Sequence, residues 1–198
     1  MQHNNTNTIL VVDNRDSFVY NIVQLLKESG SGIGIDVKRC NALQPGHLED
    51  YAGIILSPGP GLPSESGVLP EVVAEAAQKQ IPMLGICLGH QAIAEHFGGS
   101  LRQLAHPLHG HASRLQVTDD TDSLLTGANG ATVGRYHSWT VDASSLPPEL
   151  QTTAIAADDG CIMAIRHKTL PIRGVQFHPE SYITNCGKLI IKNWLSEF

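Results

Sequence analysis

The 198-residue chain predicts an α/β fold, a mixed β-sheet flanked by helices, and three observations carry that expectation. Thr8-Ile9-Leu10-Val11-Val12-Asp13 is apolar on both faces and ends in Asp, as a strand buried between two helix layers does. Strand-like and helix-like segments then alternate through the first half of the chain. Last, Cys87 lies on a strand-to-helix turn with Gly85 two residues before it and Gly89 two after. That is the Gly-x-nucleophile-x-Gly spacing of a nucleophile elbow, where the backbone is too crowded for larger flanking residues.

Taken in order, the first strand leads to a helix through Phe18, Ile22, Val23, Leu25 and Leu26 to Gly30, with Asp16 or Ser17 as its cap. Ile33 to Val37 reads as a second strand and Gly53 to Leu56 as a third, which breaks into the rigid turn Ser57-Pro58-Gly59-Pro60-Gly61. Val68 to Gln80 reads as a helix, Pro82 to Ile86 as the strand before the elbow, and Gln91 to Phe97 as the helix after it. Beyond Gly98-Gly99 the alternation gives way to short β-like pieces at Leu115–Val117, Ala131–Arg135, Thr152–Ala156 and Cys161–Arg166. Ile172 to Phe177 reads as a last core strand, and about Cys186 to Leu195 as a closing helix. Residues 1–7 are polar and read as a frayed tail, leaving 8–198 as one domain.

Bulk properties narrow the function. A net charge of −6 argues against nucleic acid as the main partner. No run approaches the ~20 apolar residues of a membrane span, and the N-terminus lacks the pattern of a signal peptide. The four cysteines (Cys40, Cys87, Cys161, Cys186) form no Cys-x-x-Cys pair, which fits free thiols in the cytoplasm. The cluster His106, His109, His111 fits no standard zinc spacing, so no metal is expected in this chain.

Three strand-end loops carry the chemistry. A cysteine nucleophile needs a base, and the base needs an orienting acceptor. His178 supplies the first and Glu180 the second: in an extended segment residues two apart point the same way, and Pro179 stiffens the segment. An oxyanion hole needs two donors, for which Leu88 N–H follows the nucleophile and Gly59 N–H sits in the Pro58–Gly61 turn. Taken singly, each feature also has a structural explanation: a packed cysteine, a turn histidine, a tight turn. Their co-occurrence at three strand ends favours a catalytic site.

At these residues the sequence resembles a known family. Pro82-Met83-Leu84-Gly85-Ile86-Cys87-Leu88-Gly89-His90-Gln91 and Gly174-Val175-Gln176-Phe177-His178-Pro179-Glu180-Ser181 are similar to the two signatures of class I (triad-type) glutamine amidotransferases. Asp13-Asn14-Arg15-Asp16-Ser17-Phe18, the segment Leu56–Gly67 and Arg135-Tyr136-His137-Ser138-Trp139 resemble the glutaminase subunit shared by anthranilate synthase and aminodeoxychorismate synthase. The resemblance implies a single flavodoxin-like domain that hydrolyses L-glutamine through a thioester on Cys87. His178 would then be the base, Glu180 its orienter, and Gly59 and Leu88 the oxyanion donors. Gly59, Pro60, Gly61, Gln91 and the backbone of Ser138 and Trp139 would bind glutamine.

The resemblance also implies a partner: a large chorismate-binding synthase subunit that uses the ammonia and holds Mg2+ in its own site. The product would be anthranilate, for tryptophan, or the para-aminobenzoate precursor, for folate, with a lean toward anthranilate. Relatives usually carry His-Gly-Lys where this chain has His109-Gly110-His111, a loop expected near the partner. The competing expectations are a γ-glutamyl peptidase and a regulatory subunit with a dead site; the intact Cys87, His178 and Glu180 argue against the second.

Overall fold

The computed structural model describes residues 7–30, 32–44 and 46–197. Nine strands form one sheet in the order β2-β1-β3-β4-β11-β10-β9-β6-β7. The strands β1 (Thr8–Asp13), β2 (Gly34–Arg39), β3 (Gly53–Leu56), β4 (Met83–Ile86) and β11 (Ile172–Val175) run parallel. The strands β10 (Ile162–His167), β9 (Leu150–Ala156), β6 (His111–Val117) and β7 (Thr132–Arg135) extend the sheet antiparallel. A separate two-stranded ribbon pairs β5 (Leu101–Gln103) with β8 (Trp139–Val141).

Alternation along the central strands builds two cores. Ile9, Val11 and Ile55 face one layer, which holds α1 (Val19–Ser29) and α4 (Gly187–Leu195). Leu10, Val12, Ile54 and Leu56 face the other, which holds α2 (Leu69–Gln78) and α3 (Leu88–His96). The helices supply apolar stripes at helical spacing: Val19, Ile22, Val23 and Leu26 on α1, and Ile190, Ile191 and Trp194 on α4. Each aliphatic side chain among them that is fully buried contributes about 1.5–3 kcal/mol before entropy is counted.

The helix after the elbow begins at Leu88, three residues earlier than its sequence predicts. The reason is close packing. A Cβ on Gly85 would come within 2.5 Å of the Gly89 backbone, and one on Gly89 within 2.5 Å of Leu56 Cβ. The two glycines that flank the elbow are as crowded as its spacing predicts, and they let α3 lie directly on the sheet.

Other boundaries move by one to four residues, β6 starting earliest relative to expectation, at His111. The strands β5 and β8 were not expected at all. The last core strand ends at Val175, not Phe177, and takes a central place beside β4. Of the expected N-terminal tail, residues 1–6 lie outside the described residues. Asn7 is anchored: its side-chain amide donates to Gly32 O at 2.9 Å, and its carbonyl accepts from Gly34 N–H at 2.7 Å.

Candidate active site

Cys87 stands between β4 and α3 with φ +50° and ψ −98°, a conformation that L-residues adopt only when the surrounding structure enforces it. Its N–H donates to Val175 O at 2.8 Å and its carbonyl accepts from Gln91 N–H at 3.0 Å. The elbow is therefore bolted both to β11 and to its own helix. Leu88 is the first residue of α3, so its N–H has no acceptor within the helix.

His178 and Glu180 follow β11. The imidazole Nδ1–H donates to Glu180 Oε1 at 2.6 Å, and both side chains are almost fully buried. The contact arises differently from its sequence-based expectation. Residues 178–181 form a turn, closed by Ser181 N–H on His178 O at 3.2 Å and by Thr184 Oγ1–H on the same oxygen at 2.6 Å, not an extended segment. With Nδ1 committed to Glu180, Nε2 is left without a hydrogen-bond partner among the described residues. Burial works against a charged ring, yet the Cys87 sulfur and the Glu180 carboxylate together hold His178 well above the ordinary 6.5. The Tyr136 ring packs edge-on against it, with centroids 5.0 Å apart.

Two cavities meet at Cys87. The smaller, about 210 Å³, is lined by Gly59, Pro60, Gly61, Gln91, Ser138 and Trp139, together with Cys87, Tyr136 and His137. That volume lies below the ~300–1,000 Å³ of pockets for drug-sized ligands and suits a molecule the size of an amino acid. The larger, about 510 Å³, opens on the His178 and Glu180 side, between the starts of α1 and α4. Asp16 reaches it; burial raises its carboxyl above the ordinary range, against the pull of Phe18 N–H and the charge of His178. Neither Asp16 nor Ser17 caps α1: the N-cap is Phe18, with no side-chain capping bond, and Asp16 Oδ1 instead accepts from Phe18 N–H at 2.7 Å in the turn that leads into the helix.

The structure thus brings all of the expected site residues around one sulfur. Gly59 sits hard against the elbow: a Cβ there would lie 2.6 Å from Asn14 O and 2.8 Å from Leu88 Cδ2. Asn14 braces that turn, donating from N to Ser57 Oγ and from Nδ2 to Ser57 O, both at 2.9 Å.

Gln176, Arg135 and Asn14 were not singled out from sequence. Gln176 is fully buried, and its Nε2 donates to Cys87 Sγ at 3.5 Å. The available signal was a polar residue at the end of an apolar strand, two positions before His178. Outside the site, His106 and His109 are exposed, and His111 pairs with Asp158 at 3.0 Å. No group of three or more His, Cys, Asp or Glu among the described residues is placed to hold a metal ion. Cys40, Cys161 and Cys186 are free and buried.

A cysteine in a strained elbow, with a buried His–Glu pair and a small cavity beside it, is an arrangement that nucleophilic catalysis uses. Residues 10–198 match the family described as glutamine amidotransferase class-I, and the chain belongs to that family. It is 43% identical over 191 residues to the bifunctional protein TrpGD of Thermotoga maritima, covering 95% of this chain but only 32% of that protein. It is 40% identical over 193 residues to the aminodeoxychorismate/anthranilate synthase component 2 of Bacillus subtilis, covering 96% of each. Among solved structures, a Thermoplasma acidophilum protein provisionally described as one component of a GMP synthase superposes with a TM-score of 0.84 at 29% identity, covering 96% of this chain and 92% of that one.

Proposed function

We propose that this chain is the glutaminase subunit of a chorismate-aminating synthase, and that Cys87, His178 and Glu180 carry its chemistry. His178 Nε2 takes the thiol proton, and the sulfur attacks the side-chain amide carbon of L-glutamine. The N–H groups of Gly59 and Leu88 hold the oxyanion that forms. His178 then hands its proton to the leaving ammonia, and water hydrolyses the γ-glutamyl thioester to glutamate. Glutamine occupies the smaller cavity, against Gly59, Pro60, Gly61, Gln91, Ser138 and Trp139.

The observation that carries this reading is the convergence of the 2.6 Å His178–Glu180 pair and the Gln91 cavity on one strained cysteine. The larger cavity, which meets the smaller at Cys87 and opens beside His178 and Glu180, offers ammonia a way out.

The partner is a large chorismate-binding subunit that supplies the acceptor and holds Mg2+ in its own site. Anthranilate synthesis, in the tryptophan pathway, is the preferred assignment. The printed name of the Bacillus subtilis relative also supports a second reading, in which one subunit serves aminodeoxychorismate synthesis for folate as well. We assign the subunit to the cytoplasm, which suits four free thiols; no described helix is long and apolar enough to cross a membrane.

Reconstitution tests the assignment. The chain is mixed with each candidate large subunit in chorismate, glutamine and Mg2+, and the aromatic product is read. Anthranilate from one and nothing from the other assigns a dedicated tryptophan subunit; both products assign a shared one. Cys87→Ala should abolish the glutamine-dependent reaction and leave the ammonia-dependent one intact. Loss of both together would refute the division of labour.

A further inference from the structure

Gln176 is the first residue after β11 and is fully buried. Its backbone is fixed by a bond from its N–H to Met163 O at 2.9 Å. Its side chain is used at both ends: Oε1 accepts from Gln91 Nε2 at 3.1 Å, and Nε2 donates to Cys87 Sγ at 3.5 Å. Gln91 Nε2 also donates to Trp139 O at 2.8 Å. Because the Trp139 carbonyl can only accept, it draws the NH2 of Gln91 to itself, and that NH2, a donor only, turns the Gln176 carbonyl oxygen toward it and the Gln176 NH2 toward the sulfur.

Burying a primary amide in an apolar strand end costs free energy unless its groups are bonded. A methionine would fill the same space without that cost. The amide is kept beside a sulfur, and a donor favours that sulfur when it is ionised, since hydrogen bonds to charged acceptors are about twice as strong as neutral ones.

We propose that Gln176 is a further catalytic residue: its side-chain amide donates to the Cys87 sulfur and favours the attacking thiolate, and Gln91 fixes that amide from the wall of the substrate cavity. This rests on Cys87 being the nucleophile. It adds to that role a second polar group acting on the sulfur besides the base, and a link between the cavity that holds substrate and the atom that attacks it. The other titratable groups lining the two cavities at the sulfur are His178 with Glu180, Asp16 from the turn after β1, Tyr136 and His137 from the segment after β7, and Lys188 at the start of α4.

The test uses the full chain and iodoacetamide. The rate of alkylation at Cys87 is followed against pH by mass spectrometry of the Cys87 peptide, beside glutaminase turnover in the reconstituted complex. Gln176→Met keeps the length and removes the donor; its alkylation curve should move to higher pH, and kcat/KM should fall about ten- to a hundredfold with most of the loss in kcat. Gln176→Glu places a carboxylate against the sulfur and should move the curve further. Curves that coincide with the wild type in folded variants of unchanged melting temperature would overturn the proposal. Should both variants fail to fold, Gln91→Met, which removes only the orienting partner, decides the matter: a smaller shift in the same direction supports it and no shift overturns it. Glutaminase turnover that survives Cys87→Ala would instead remove the nucleophile, a different failure from Gln176 variants that match an active wild type.

Discussion

Arg135 donates from Nε to His137 Nε2 at 3.2 Å, and that bond fixes which nitrogen of the imidazole carries its proton. A guanidinium only donates, so Nε2 must accept and Nδ1 must bear the hydrogen. Nδ1–H then donates to Trp139 O at 2.9 Å, the same carbonyl that accepts from Gln91. Burial and the neighbouring Arg135 charge lower His137 to about 4, so the ring stays neutral at physiological pH. Arg135 is itself fully buried and bonds Ser113 Oγ at 3.1 Å and Asp159 Oδ2 at 2.9 Å. A continuous polar chain therefore runs from the acidic 158–159 turn through Arg135, His137, Trp139, Gln91 and Gln176 to the sulfur of Cys87.

Arg135→Met cuts that chain at its root. The Ser138–Trp139 wall of the smaller cavity loses its support, so KM for glutamine should rise about tenfold while kcat changes less. Stability should drop by about 1–3 kcal/mol, and not more, because the carboxylates left behind are part-exposed and can rehydrate. Arg135→Lys should not rescue, since an ammonium cannot serve His137, Ser113 and Asp159 at once. Steady-state glutaminase kinetics and urea unfolding read both effects; an unchanged KM would detach Arg135 from the substrate wall.

Gly187→Ala probes the His178–Glu180 turn from the α4 side. A Cβ there would overlap the Pro179 carbonyl oxygen, a backbone atom that cannot swing away. Either α4 or the His178–Glu180 turn must shift, and the cost should be about 2–4 kcal/mol. The folded fraction should show reduced kcat, because Pro179 lies between His178 and Glu180, to which we assign the base and its orienter. Full activity at a lowered melting temperature would mean that the helix yields and the turn does not.

Much of this site was legible in the sequence because its constraints are local. The Gly85 and Gly89 spacing marks the elbow, and the pair His178 and Glu180 is bound by a single turn. The two-faced apolar strands β1, β3 and β4 announce a buried parallel sheet. What escaped is set by long-range packing. β4 and β11 are neighbours although 85 residues separate Ile86 from Ile172, and no local pattern encodes that pairing. The ribbon strands Leu101–Gln103 and Trp139–Val141 are three residues each and are fixed by each other, too short for periodicity to register. Gln176 and Arg135 look like ordinary polar residues until burial gives each of their bonds its value.

Glu180→Gln should slow turnover less than His178→Ala, because it weakens the orientation of the base without removing it. It also has a pH signature. Glu180 is one of the groups that raise His178, so the pair stabilises the fold fully below about pH 6.5, and that contribution fades as pH rises through the raised native value. The deficit in melting temperature of Glu180→Gln should therefore be larger at pH 6 than at pH 9. Equal deficits at both would mean that the charge on His178 contributes nothing to the pair.

His90 gives the opposite sign. It is fully buried on α3, in a space left by Gly174, where a Cβ would lie 2.8 Å from its Nδ1. Burial, with the charge of His137 adding to it, lowers its ring to about 3. Below pH 6.5 the unfolded chain takes up a proton there that the native chain refuses, so stability falls as pH falls, by about 1.4 kcal/mol per pH unit at full effect. His137, held to about 4, acts in the same direction. His90→Leu removes one of these two protons. The variant should lose about 2 kcal/mol less stability than the wild type between pH 7 and pH 5, whatever its stability at pH 7. Urea unfolding at the two pH values reads that difference directly, and because carboxylates and His137 titrate alike in both chains, they cancel from the comparison. An identical acid limb in the two proteins would mean that the His90 ring gains its proton inside the folded chain near its ordinary pH, and that α3 opens there to admit it.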